Sequence, residues 1–181
     1  MGISILKSKS GGHNMFLEKN NQIRADLFRL IDSLTDDEFN TAPDTNTWSP
    51  KQILEHLIKL ESKIIEGIKL ELANPSSPKV KKKPIQLTTI RLFKVKAPKY
   101  AQPTSSFETK QVMKEELHQT RMKLLDLYAK HDFQTFQNKS LSHPAFGRVP
   151  LGQWFPFVGL HEKRHIKQLE KIIKKIKGHK K

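Results

Sequence analysis

Cysteine is absent from the 181 residues. The chain therefore cannot build a disulfide framework, a thiolate metal site or a cysteine nucleophile. Acids are scarce beside bases: 18 Asp and Glu face 33 Lys and Arg, a net charge of +15. Long apolar runs are missing. The longest, Trp154 to Leu160, includes a Pro and a Gly and falls far short of the roughly 20 residues that cross a membrane. Ile3 to Leu6 is too short for a secretory signal, and Leu6 stands where a myristoylated N-terminus has Ser or Thr. No Gly-rich phosphate loop and no nucleophilic-serine elbow is present. The expectation is a single soluble domain in the cytoplasm, without membrane insertion.

The positive charge is unevenly placed. Asn74 to Ser106 carries eight Lys and Arg and no acid, and Lys171 to Lys181 carries six Lys and no acid. The rest is close to neutral. A nucleic-acid binder would carry its basic face on the folded body. Here the excess lies in a connection and a tail, so nucleic acid is not the expected partner. Attraction to anionic small molecules is a secondary consequence.

Apolar periodicity marks four helices. Residues 1–13 read as a flexible leader. Phe16, Ile23, Leu27, Leu30, Ile31 and Leu34 form the first stripe, which fades near Asp36–Phe39. Ser49 is a candidate N-cap ahead of Pro50, which the first turn tolerates. The stripe Ile53, Leu57, Leu60, Ile64, Ile68 then runs to Ala73, where Asn74-Pro75 stops it. Residues 74–106 hold five of the ten prolines and form a long connection, with Ile85 to Val95 as an extended piece. A third helix is expected over 107–130, a loop over 131–149, and a fourth helix from Pro150 to about Ile176, kinked or firmly started by Pro156. Residues 178–181 are a basic tail end. The expected fold is all-α, a four-helix bundle over 14–177 without convincing strand pairs. Periodicity alone does not settle the direction of its helices.

The chemistry lies in histidines at stripe positions. His161 and His165 replace apolar residues in the row from Val158 to Leu169, one turn apart on one face. An imidazole on an apolar seam needs hydrogen-bond partners or a metal. His56, between Ile53 and Leu60, faces the buried side of its own helix. Three neutral imidazoles plus a water make an open tetrahedral site, the pattern of catalytic zinc. His161-Glu162-Lys163-Arg164-His165 also fits the string His-Glu-x-x-His, with Glu162 as general base. The extended protease form fails, because Gln168 and Lys171 stand where it has Gly and His. Glu162 remains either a surface acid paired with a lysine or a group standing behind the ligands. His143 either stays in its loop or lines the pocket mouth. His118 is expected half-exposed, and His13, His131 and His179 in solvent.

Thr47-Trp48-Ser49-Pro50-Lys51-Gln52-Ile53-Leu54-Glu55-His56-Leu57 resembles the second-helix signature of the DinB-like (YfiT-like) superfamily. His143-Pro144-Ala145-Phe146-Gly147, Trp154-Phe155 and the run His161 to Leu169 resemble its last loop and helix. The resemblance spans about residues 15–176. It implies an up-down-down-up bundle and a divalent metal, usually zinc or nickel, held by His56, His161 and His165. Members include bacterial thiol S-transferases and metal-dependent hydrolases, and dimers are common. The expected function is a metal-dependent enzyme on a small molecule. Thiol transfer onto an electrophile comes first. The alternatives are metal-assisted hydrolysis and a non-catalytic, stress-related metal-binding bundle.

Overall fold

The computed structural model describes residues 14–90 and 98–178. The leader, residues 91–97 of the expected extended piece, and the tail end beyond residue 178, with His13 and His179, lie outside the described residues. Six α-helices occur among the described ones: α1 Asn14–Asp32, α2 Asp36–Asn40, α3 Pro50–Ala73, α4 Lys110–Ala129, α5 Phe133–Asn138 and α6 Leu151–Gly178. The long ones, α1, α3, α4 and α6, form a four-helix bundle in which α1 packs on α6 and α4, and α3 on α4 and α6.

The stripes face inward as their spacing predicts. Leu27, Ile31, Ile53, Leu54, Ile68, Leu117, Leu124 and Leu169 are fully buried. Their packing forms two apolar clusters, one around Leu27, Leu54 and Leu169, the other around Ile68, Phe136 and Phe155. α3 starts where expected. The Ser49 side chain accepts from the Gln52 N–H, and the Gln52 side chain accepts from the Ser49 N–H, with Pro50 in the first turn.

Several expectations need correction. The first helix does not fade through 36–39; it stops at Asp32, and a Thr35–Glu38 capping box begins α2. α4 starts at Lys110 rather than 107, because the Thr109 hydroxyl caps it. Residues 131–149 are not a plain loop. They hold α5, capped by Asp132, and an antiparallel hairpin of β1 Ser140–His143 and β2 Gly147–Pro150. Gly147, at φ 66°, makes the turn possible. Residues 85–89 form a 3₁₀ turn rather than an extended piece, with Ile85 buried in the core. Pro156 lies inside α6, which starts at Leu151 and continues through it.

The connection is fastened at successive points. The Gln153 amide exchanges two hydrogen bonds with the Lys83 backbone, at 2.7 and 2.8 Å. Arg164 donates to the carbonyls of Thr88 and Ile90. Further on, Gln52 donates to the Thr104 carbonyl and Lys59 to that of Gln102. The connection thus returns from the end of α3 to its first turns.

Candidate metal centre

His56 on α3 and His161 and His165 on α6 come together. One ring nitrogen from each lies within 4.8 Å of the other two. The ring centroids are 5.3 Å apart for His56–His161, 5.0 Å for His56–His165 and 4.6 Å for His161–His165. His56 and His165 are buried, and His161 is half-buried.

The hydrogen bonds select tautomers. Nδ1 of His56 lies 2.8 Å from the Ala101 carbonyl, which can only accept, so Nδ1 carries the proton and Nε2 presents its lone pair. Nδ1 of His165 lies 3.1 Å from Oε1 of Gln168, which orients its Nε2 toward His161. The two Nε2 atoms stand 3.3 Å apart. Two nitrogens each about 2.0–2.1 Å from one tetrahedral ion would stand about 3.3–3.4 Å apart. The His161–His165 pair therefore has the spacing of two ligands of one divalent ion, and His56 completes a set of three imidazole donors within 4.8 Å. Burial holds the His56 ring below its ordinary value, with the Ala101 bond pulling weakly the other way. Burial, and after it the imidazoles of His165 and His56, hold His161 well below that value. Both shifts favour the neutral ring, the form that binds a metal.

A polar clamp seats the Ala101 carbonyl. Lys51 donates to Glu55, Thr104 and Ser106, and Lys59 also pairs with Glu55. The Thr104 N–H donates to Glu55 at 3.0 Å. Burial alone would raise the Glu55 carboxyl; the hydrogen bonds from Lys51, Lys59 and Thr104 outweigh it and hold it at about 2. Trp48 covers His56 from the other side, its ring 5.2 Å away.

His143 is not among the converging rings. It sits half-buried in the hairpin against Phe146, Trp154 and Phe157, and the Phe157 ring stacks on His161 at 6.0 Å. Its Nδ1 accepts from the N–H groups of Ala145 and Phe146, and burial pushes it down to about 4. His118 is exposed rather than half-exposed, and His131 is half-buried with Nδ1 on the Leu127 carbonyl.

Glu162 does not lie on the helix surface. It is 1% exposed, and its Oε1 accepts from Arg24 at 2.9 Å and Arg121 at 3.1 Å. Arg121 also grips Glu61 through Nε at 2.6 Å and Nη2 at 3.3 Å. Arg24 reaches Glu61 at 3.4 Å and the Leu117 carbonyl at 2.9 Å. Each long helix thus gives one charged residue to a buried quartet lying between the two apolar clusters. Burial works against the Arg121 charge, and the carboxylates of Glu162 and Glu61 outweigh it. The sequence reading missed Arg24, Glu61 and Arg121. The signal was there: the third stripe jumps from Leu117 to Leu124, and Arg121 fills the gap.

Comparison with known proteins agrees with this architecture. The chain is 30% identical over 156 residues to the uncharacterized protein YuaE of Bacillus subtilis (strain 168), covering 86% of this chain and 96% of that protein. Among solved structures, YfiT from Bacillus subtilis superposes with a TM-score of 0.62 at 16% identity, covering 95% of this chain and 91% of that one. It is described as a probable metal-dependent hydrolase with an unusual four-helix bundle topology. The four-helix bundle protein TT2238 gives a TM-score of 0.56 at 19% identity, over 87% and 98% of the two chains. At these identities the structural likeness speaks for the fold. The family model of the DinB superfamily matches residues 20–169, most of the chain and all three converging histidines, and the chain belongs to that superfamily.

Proposed function

We propose that the protein is a metal-dependent enzyme acting on a small molecule, with thiol S-transfer as its reaction. His56, His161 and His165 hold a divalent ion, zinc or nickel. The observation that carries this reading is the convergence of three imidazole nitrogens within 4.8 Å. A bound ion there supplies Lewis acidity, lowering the pKa of a coordinated thiol or water.

The chain's own residues do the rest. Ala101 and Gln168 hold the ring orientations of His56 and His165. Phe157 stacked on His161 excludes water from one side. Among the described residues no carboxylate joins the three imidazoles, and Glu162 is engaged by two guanidiniums. Among the described residues no general base reaches the imidazole group directly, which favours a thiol, because metal coordination alone activates it. The thiol proton leaves to solvent. The sulfur bonds to an electrophilic carbon, and the leaving group departs with the bonding pair. Lys79, Lys81, Lys82 and Lys99 are exposed on the connection and suit an anionic thiol.

Hydrolysis is the second reading, favoured by the description of YfiT, and it uses the same three histidines. The deciding experiment is elemental analysis of untagged protein, followed by turnover of an electrophilic probe with several low-molecular-weight thiols. Metal at one ion per chain and thiol-dependent turnover lost in His56→Ala support transfer. Turnover without thiol supports hydrolysis. Metal with no turnover on either test leaves a non-catalytic binding bundle.

A further inference from the structure

Two of the three ring systems have their outward nitrogen engaged, His56 on Ala101 and His165 on Gln168. His161 has its Nε2 toward His165, and its Nδ1 has no partner among the described residues. One helical position on, Oε2 of Glu162 is buried and also without a hydrogen-bond partner. A buried carboxylate oxygen left unpaired is costly. Both residues line the same small cavity, about 10 Å³, together with Glu61, Leu57, Leu60, Ile64 and Val158. That is room for about one water, and a water needs two to four polar partners. The lining has three polar residues, Glu61, His161 and Glu162, and four apolar ones.

We propose that this cavity is a water site that couples the metal centre to the charge quartet. In the metal-loaded protein the water accepts the Nδ1–H of His161 and donates to Oε2 of Glu162, with Glu61 facing its second hydrogen. Glu162 is then a positioning residue: it acts on the ion only through the water and the His161 ring. Ligating histidines usually give their other N–H to a carboxylate, a carbonyl or a water, and loss of such a partner costs about 10–100-fold in metal affinity. Glu162 Oε1 is fixed by Arg24 and Arg121, so its Oε2 is aimed by charges drawn from α1 and α4. The His161 ring orientation is thereby tied to all four long helices.

The inference rests on the metal reading, and the two fail separately. Glu162→Gln tests it directly but also disturbs the quartet. The sharper variant is Val158→Ile, which adds a methylene at an apolar lining residue and replaces no polar group. Wild-type protein and both variants are titrated with zinc by calorimetry, and the ¹⁵N signals of the His161 ring are recorded with zinc bound. The expected result is a 10–100-fold weaker zinc affinity in Val158→Ile, with faster exchange of the His161 Nδ1–H with solvent. A crystal structure of the zinc-loaded wild type shows the water between Glu162 and His161. Unchanged affinity and exchange in a folded Val158→Ile overturn the proposal, as does a dry cavity in the crystal. No zinc binding by the wild type overturns the metal reading instead.

Discussion

Arg24 on α1 and Glu162 on α6, 138 residues apart in sequence, are hydrogen-bonded in the middle of the bundle. With Glu61 and Arg121 they make a closed quartet of two cations and two anions. Such a centre is asymmetric in its response to mutation. Arg24→Met removes one cation and leaves two buried carboxylates sharing Arg121, at an expected cost of about 3–5 kcal/mol. Replacing all four residues with apolar ones of similar volume is expected to be neutral or stabilising by about 1–4 kcal/mol. Urea denaturation of both variants checks the pair. A single variant as stable as wild type would remove the quartet's structural role.

The ion is expected to stabilise the fold. At free zinc 100 times its dissociation constant, binding to the native state adds about 2.7 kcal/mol. A chelator should remove that increment, and a His161→Ala/His165→Ala double variant should never show it. Thermal melts with and without chelator read this out; an equal gain in the double variant places the ion elsewhere.

Acid should weaken the protein in two stages. His143 has a folded value of about 4 against an ordinary 6.5, and His56 and His161 are shifted in the same direction. Their stabilising contribution is present above pH 6.5 and is lost as pH falls, because the unfolded chain takes up protons that the buried rings refuse. Glu55, at about 2 against 4.5, adds a second loss between those values, as the unfolded carboxyl protonates first. His143→Phe is expected to flatten the upper stage only, and Glu55→Gln the lower one. Denaturation midpoints from pH 8 to 2.5 test both assignments.

Gly159 on α6 leaves room for the side chain of Asn20 on α1. A methyl group there would lie 1.9 Å from Oδ1 of Asn20, whose Nδ2 donates to the Phe155 carbonyl at 2.8 Å. Overpacking costs about 1–3 kcal/mol, more than the roughly 1 kcal/mol that Ala gains over Gly in a helix. Gly159→Ala should therefore destabilise. In an Asn20→Ala background the clash is gone and the same change should stabilise. A double-mutant cycle measures the difference.

The long helices were legible because their apolar residues recur at helical spacing, and α3 also carried its start in Ser49 and Pro50. The histidine group was legible for a related reason: His56, His161 and His165 are polar residues standing in apolar rows. The quartet obeys the same rule, yet a single Arg or Glu in a stripe reads as an interruption until its partner on another helix is known. Arg24 and Glu162 have no sequence relation that would pair them. The hairpin was hidden by its brevity, four residues a strand, and it persists by packing on α3 and α6. The Glu55 clamp was missed because Lys51, Glu55 and Lys59 look like ordinary helix-surface pairs, and only the folded connection brings Thr104 to them.

His56 is aimed by a main-chain oxygen, that of Ala101, rather than by a side chain. Any residue small enough for that fully enclosed position would serve equally well. Side chains of the connection outside that position and outside the Thr104 and Ser106 clamp can thus diverge without disturbing the ring beneath. Under the proposed function, selectivity for substrate and retention of the ion are separately adjustable traits.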